Sequence, residues 1–114
     1  MSNKHGSKWI RPAKRLAIYS RDGFACAYCG SEESLSLDHL QPRELGGSHA
    51  AENLVTSCVS CNSARKDLPM RDWFQVLRDG GGDTSQLRKK IRTLTARAIN
   101  LDEGKRLLAA RRAQ

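Results

Sequence analysis

The sequence predicts an α+β domain: two short strands and a helix pinned by a four-cysteine zinc site, with further helices flanking them. Three observations predict it. Four cysteines form two CxxC pairs, Cys26 with Cys29 and Cys58 with Cys61. Short segments of strand character, one of them alternating apolar with polar residues, lie between the pairs. Apolar residues then recur at helical spacing toward the C-terminus.

The elements follow in order. Residues 1–11 read as a flexible basic arm. Pro12 suits the first turn of a helix, and Ala13 to Ser20 set Leu16 and Tyr19 on one side, away from Lys14 and Arg15. Arg21-Asp22-Gly23 stops that helix. Phe24 to Gly30 forms the first cysteine knuckle. Leu35 and Leu37 alternate with Ser34, Ser36 and Asp38, which predicts a short strand. A long loop from Gln41 to Glu52 is punctuated by Pro42 and Gly46-Gly47. Leu54 to Ser57 is a second strand. The second knuckle opens a helix through Asn62 to about Lys66. Pro69 interrupts, and Arg71 to Leu77 form another short helix.

These elements group into a body over residues 12–79, a glycine linker over 80–83 and a basic helical extension over 84–114. Thr84 is expected to cap a helix carrying Leu87, Ile91, Leu94 and Ala98, and Asn100 to cap a last helix to Ala113. The extension reads either as an amphipathic pair packed on the body or as an arm for a polyanion.

Composition narrows the function. The chain has 114 residues and a net charge of +8, with 20 Lys+Arg against 12 Asp+Glu. Such a balance points to a polyanionic partner, most simply nucleic acid. A core this small is commonly reinforced by a structural metal. No apolar run approaches the ~20 residues of a membrane span, and the first residues lack the apolar stretch of a signal peptide. The expectation is a cytoplasmic protein without a membrane partner, in a compartment where thiols stay reduced. There, paired CxxC motifs read as a Zn²⁺ site before they read as disulfides or a redox pair. Cys26, Cys29, Cys58 and Cys61 would fill all four positions of a tetrahedral ion, so its role is structural.

Four polar residues cluster around the knuckles: Asp38 and His39 at the end of the first strand, Asn53 before the second, and Asn62 on the helix. Hydrolysing a phosphodiester requires an attacking water, a base for its proton and a cation for the developing charge. A neutral imidazole suits the base. A carboxylate and an amide oxygen, here Asp38 and Asn62, suit a hard cation such as Mg²⁺. Adjacent strand residues point to opposite faces, so Asp38 and His39 can serve different tasks. His5 and His49 have no motif partner and are expected at the surface. Trp73 and Phe74 read as core or interface residues.

Taken in order, these motifs resemble the HNH nucleases. The resemblance is carried by Arg21-Asp22-Gly23 with Cys26 and Cys29, then Leu37-Asp38-His39, Pro42-Arg43 with Gly46-Gly47, Glu52-Asn53-Leu54-Val55, and Cys58 and Cys61 with Asn62 and Lys66. It implies a ββα-metal fold and a metal-dependent endonuclease acting on DNA. By the same resemblance His39 is the general base, Asp38 a metal ligand, and Asn53 the residue that holds the loop positioning the base. Asn62 stands where the family's last histidine would be, which leaves only oxygen ligands and favours Mg²⁺ or Mn²⁺. Arg43, Arg65 and Lys66 are candidate phosphate contacts. Small stand-alone HNH proteins of phages are similar in size, which would make packaging or other DNA-processing proteins the partners. The alternative is a zinc-pinned nucleic-acid-binding module or scaffold without catalysis, which would have no need of Asp38, His39, Asn53 and Asn62 together.

Overall fold

A computed structural model describes residues 9–113, so the expected arm over residues 1–11 lies outside the described residues except at its end, as does His5. Helix α1 spans Pro12–Arg21, strands β1 and β2 span Leu35–His39 and Leu54–Cys58, and α2 spans Val59–Arg65. Helices α3 (Met70–Asp79), α4 (Thr84–Ala96) and α5 (Leu101–Arg112) follow. The α+β expectation holds. Each strand and helix read from the sequence is present within a few residues. Two short 3₁₀ turns, Arg43–Leu45 and Ala51–Asn53, add structure to the long loop.

The strands pair antiparallel, with Leu35 opposite Cys58 and His39 opposite Leu54. Directly opposed residues share a face of the sheet, so Leu37, His39 and Leu54 face one way and Asp38 and Val55 the other. The first face packs on α1 through Leu16, Ile18 and Tyr19, with Leu107 and Leu108 of α5 against the same cluster. Val55, on the second face, packs with Ala27, with Trp73 and Phe74 of α3, and with Ile91 and Leu94 of α4. The two-stranded sheet is thus the middle layer between two helical layers. A sheet that small is not stable alone and depends on both coverings.

Arg21 and Asp22 tie α1 to β2. Asp22 accepts from the Thr56 backbone N–H at 2.8 Å, and Arg21 donates to the carbonyls of Ala51 and Leu54. Helix α5 lies across α1 at Gly104, where an added Cβ would stand 2.0 Å from the Ala13 carbonyl oxygen. A glycine inside a helix costs about 1 kcal/mol in propensity, and close approach to α1 is the reason it is here.

Three details differ from the sequence reading. Asp83, not Thr84, caps α4, its side chain accepting from the Ser85 and Gln86 backbone N–H groups. Thr84 is the first helical residue and is buried. Gly80 to Gly82 form a tight turn rather than a loose linker: their N–H groups close back on Val76, Leu77 and Arg78, and Gly81 takes φ +92°, which favours glycine. Ala98 lies beyond the end of α4 and is exposed.

Candidate metal centre and active site

The first knuckle and the β2–α2 junction bring the four cysteines together. The sulfurs of Cys26, Cys29, Cys58 and Cys61 all lie within 4.8 Å of one another, and those of Cys29 and Cys58 are 3.7 Å apart. A tetrahedral Zn²⁺ with Zn–S bonds of about 2.3 Å implies sulfurs roughly 3.8 Å apart, so the cluster fits the ion. The backbone N–H of Tyr28 points at the Cys26 sulfur and that of Cys61 at the Cys58 sulfur, both at 3.4 Å. Cys58 thereby also caps α2. Burial pushes the Cys26 thiol up, but N–H groups aimed at its sulfur outweigh this and bring it down to about 7. Burial and the neighbouring Cys26 charge push Cys61 up. Sulfurs this close ionise together only around a shared cation.

Asp38 and His39 leave β1 on opposite faces. Asp38 enters the side covered by α2, where its Oδ2 accepts from the Tyr28 hydroxyl and from Arg65 Nη1, the latter at 2.6 Å. Burial pushes this carboxyl up from its ordinary value, and Arg65 and Tyr28 pull against that rise. Burial and the Asp38 charge hold the Tyr28 hydroxyl well above the usual phenol value. Tyr28 in turn meets Trp73 edge to face, with ring centres 5.5 Å apart.

Arg65 overturns the expectation of a phosphate contact. It is fully buried, and its guanidinium donates to Asp38, to the backbone oxygens of His39 and Leu40 and, through Nε, to Leu68. The residue expected on the face of Asn62, Lys66, is instead the exposed residue that ends α2, with φ +56°. A helix of seven residues stops one position short of carrying it round. Arg43 is exposed and donates to the Gly47 carbonyl at 2.6 Å, bracing its own loop.

Asn62 is buried against the sheet, its Nδ2 donating to the Leu37 carbonyl at 3.0 Å. Asp38 Oδ2 is already shared by a guanidinium and a hydroxyl, and the Arg65 charge balances the carboxylate.

Asn53 ties the ends of the long loop together. Its Oδ1 accepts from Gln41 N–H at 2.9 Å, while its Nδ2 donates to the carbonyls of Gln41 and Ser48. Gly47 fits beneath it, for a Cβ there would collide with the Gln41 carbonyl. The loop so held presents His49 to His39, with Nδ1 of His49 2.9 Å from Nε2 of His39. Trp9 packs on both rings at 4.7 Å. Sequence reasoning left His49 at the surface and did not single out Tyr28 or Trp9. Its one pointer to His49 was position, in the loop that Asn53 closes.

Residues 26–68 match the model of the HNH endonuclease family, a span that holds the four-cysteine cluster, both strands and α2. No curated protein and no solved structure matches the chain. Among the described residues no helix is long and apolar enough to cross a membrane.

Proposed function

We propose that this protein is an endonuclease that hydrolyses DNA phosphodiester bonds, with His39 as general base and one structural Zn²⁺ on Cys26, Cys29, Cys58 and Cys61. The observation that carries the reading is the position of His39, which ends β1 and faces a loop closed by Asn53, inside the segment that matches the HNH endonuclease family. In the reaction, His39 takes a proton from water. The water oxygen forms a bond to phosphorus as the ester P–O bond breaks, and the departing oxygen is protonated from solvent. Asn53 holds the loop against the base, and Asn62 holds α2 to β1. Mg²⁺ or Mn²⁺ dependence belongs to the activity the family implies.

The test is cleavage of supercoiled plasmid in Mg²⁺, Mn²⁺ or EDTA, beside a zinc-loaded His39→Ala control. A general base typically contributes about 10²–10⁴-fold, so the variant should fall by that order with fold and DNA binding retained. Undiminished cleavage by His39→Ala removes the assignment. One observation favours the second reading, a zinc-pinned DNA-binding module: Asp38 is neutralised by Arg65, and His39 is buried beside Trp9. Tight DNA binding with no cleavage in any of the three conditions would establish that reading instead.

A further inference from the structure

Two depressions adjoin on the side of the sheet covered by α3 and α4. One, of about 280 Å³, is lined by Arg88 and Arg92 of α4 and by Phe74 of α3. The other, of about 370 Å³, is lined by Leu45 and Asn53 of the long loop and by Pro69. Leu40 and Met70 line both, so the two form one trough.

The trough has a cationic end and an apolar end. Arg88 and Arg92 are exposed and stand one turn apart on the same side of α4. Among the described residues no carboxylate lies within ion-pairing distance of either. Lys89 and Lys90 add to their charge, and α4 contains no acid. Arg88 is held in place by Phe74, its guanidinium carbon 4.4 Å from the ring centre. At the other end Leu45 is 51% exposed, and Pro69 and Met70 are half-buried. This wall is fixed by the loop itself: Asn53 Oδ1 accepts from Gln41 N–H at 2.9 Å, and Gln41 Nε2 donates to the Leu45 carbonyl at 2.6 Å.

The matching ligand is an anion with a flat apolar group beside it. A duplex keeps its base faces stacked inside, and its phosphates would meet the arginines and leave the apolar end empty. An unpaired nucleotide presents a phosphate and a base face together. The net charge of +8 and the match to a family of endonucleases favour it over an acidic protein segment. We infer that the trough holds one unpaired nucleotide of DNA, its phosphate on Arg88 and Arg92 and its base over Leu40 and Met70. The cationic side comes from α4, outside the residues 26–68 that match the family. The inference rests on the reading of DNA as the substrate, and not on His39 as the base.

The experiment measures fluorescence anisotropy with the zinc-loaded full chain, without added Mg²⁺ or Mn²⁺. The probes are a labelled oligothymidylate and an abasic strand of equal length, which keeps every phosphate and has no bases. The wild type should bind oligothymidylate roughly tenfold more tightly, within the range of one bound base. Met70→Gln keeps the length of the side chain, and Leu45→Gln changes an exposed position, so both should fold. Each should close most of the gap between the two strands and leave the abasic strand unaffected. Arg92→Gln should weaken both strands by the same factor, because both carry the phosphate. Equal wild-type affinity for the two strands would overturn the inference, and plasmid cleavage by the same protein would leave the nuclease reading intact. A gap that persists in both folded trough variants would overturn it as well. Polyglutamate of equal charge that binds as tightly as oligothymidylate, and less tightly to Met70→Gln and Leu45→Gln, would overturn it in favour of an acidic protein segment. Folded protein that binds neither strand nor plasmid would remove DNA as the substrate, and the inference with it.

Discussion

Asp38 and Arg65 form an ion pair at 2.6 Å with almost no solvent reaching either side chain. The pair joins β1 to the end of α2. Arg65 also gathers the carbonyls of His39 and Leu40, so one guanidinium holds the strand end in place. Removing one partner of a buried pair leaves the other charge uncompensated, at a cost of about 3–5 kcal/mol. Arg65→Met should therefore lower the unfolding free energy of the zinc-loaded protein by that order, seen as a lower urea midpoint. The same variant should disturb His39, because its carbonyl loses a donor. An unfolding curve that overlays the wild type would show that the pair does not hold this junction.

The cysteine cluster bridges the first knuckle and the β2–α2 junction, which are distant in sequence. In small zinc domains, metal-binding energy is folding energy. Chelation with EDTA under reducing conditions should accordingly release residues 24–66. Trp73 packs on Tyr28, and Ala27 belongs to the same cluster, so Trp73 fluorescence should change in step with the loss of the ion. Zn²⁺ added back should restore the signal. Elemental analysis that finds no zinc in folded protein would remove this prediction at its root.

What the sequence made legible follows from where physical constraints are local. CxxC spacing, strand alternation at Leu35 and Leu37, and the capping asparagine at Asn100 each depend on a few neighbouring residues. His49 was not legible, because its contact with His39 depends on a loop fold closed by Asn53 and on a lysine in α1. Arg65 was misjudged for a related reason. A basic residue near a proposed phosphate site reads as a contact, and only the tertiary fold reveals that Asp38 turns inward to meet it. Lys66 took the expected direction of a helix that in fact ends one residue earlier. Gly104 did leave a trace, as a glycine between good helix formers, which signals close backbone approach.

That glycine gives a prediction of unusual sign. On propensity alone, Gly104→Ala would stabilise α5 by about 1 kcal/mol. Here the new Cβ would lie 2.0 Å from the Ala13 carbonyl oxygen and 3.1 Å from the Ala17 Cβ. Backbone cannot yield as a flexible side chain does, so α5 must shift away from α1. Overpacking of this kind costs about 1–3 kcal/mol. Thermal unfolding should show Gly104→Ala to be the less stable protein. A raised melting temperature would mean that the two helices are not so closely packed in solution.

The positive charge of the C-terminal helices is best tested by point substitution rather than truncation. Residues 84–114 carry nine Lys+Arg and two acids, but Ile91 and Leu94 are buried against Val55, Trp73 and Phe74. Cutting after Gly82 would strip the cover from one face of the sheet and destabilise the protein, whatever the helices contribute to DNA. Arg88 and Arg92 offer a cleaner test. They line a depression of about 280 Å³ together with Leu40, the residue after His39, and with Met70 and Phe74. Arg88 also stands over the Phe74 ring at 4.4 Å, so its loss removes packing as well as charge. Arg92→Gln is therefore the sharper variant. If Arg92 neutralises one phosphate of duplex DNA, the plot of log affinity against log salt should flatten by roughly 0.9, with thermal unfolding unchanged. Sequence-independent weakening would mark the contact as backbone rather than base. An unchanged salt slope in a stably folded Arg92→Gln protein would place the DNA grip elsewhere than on this face of α4.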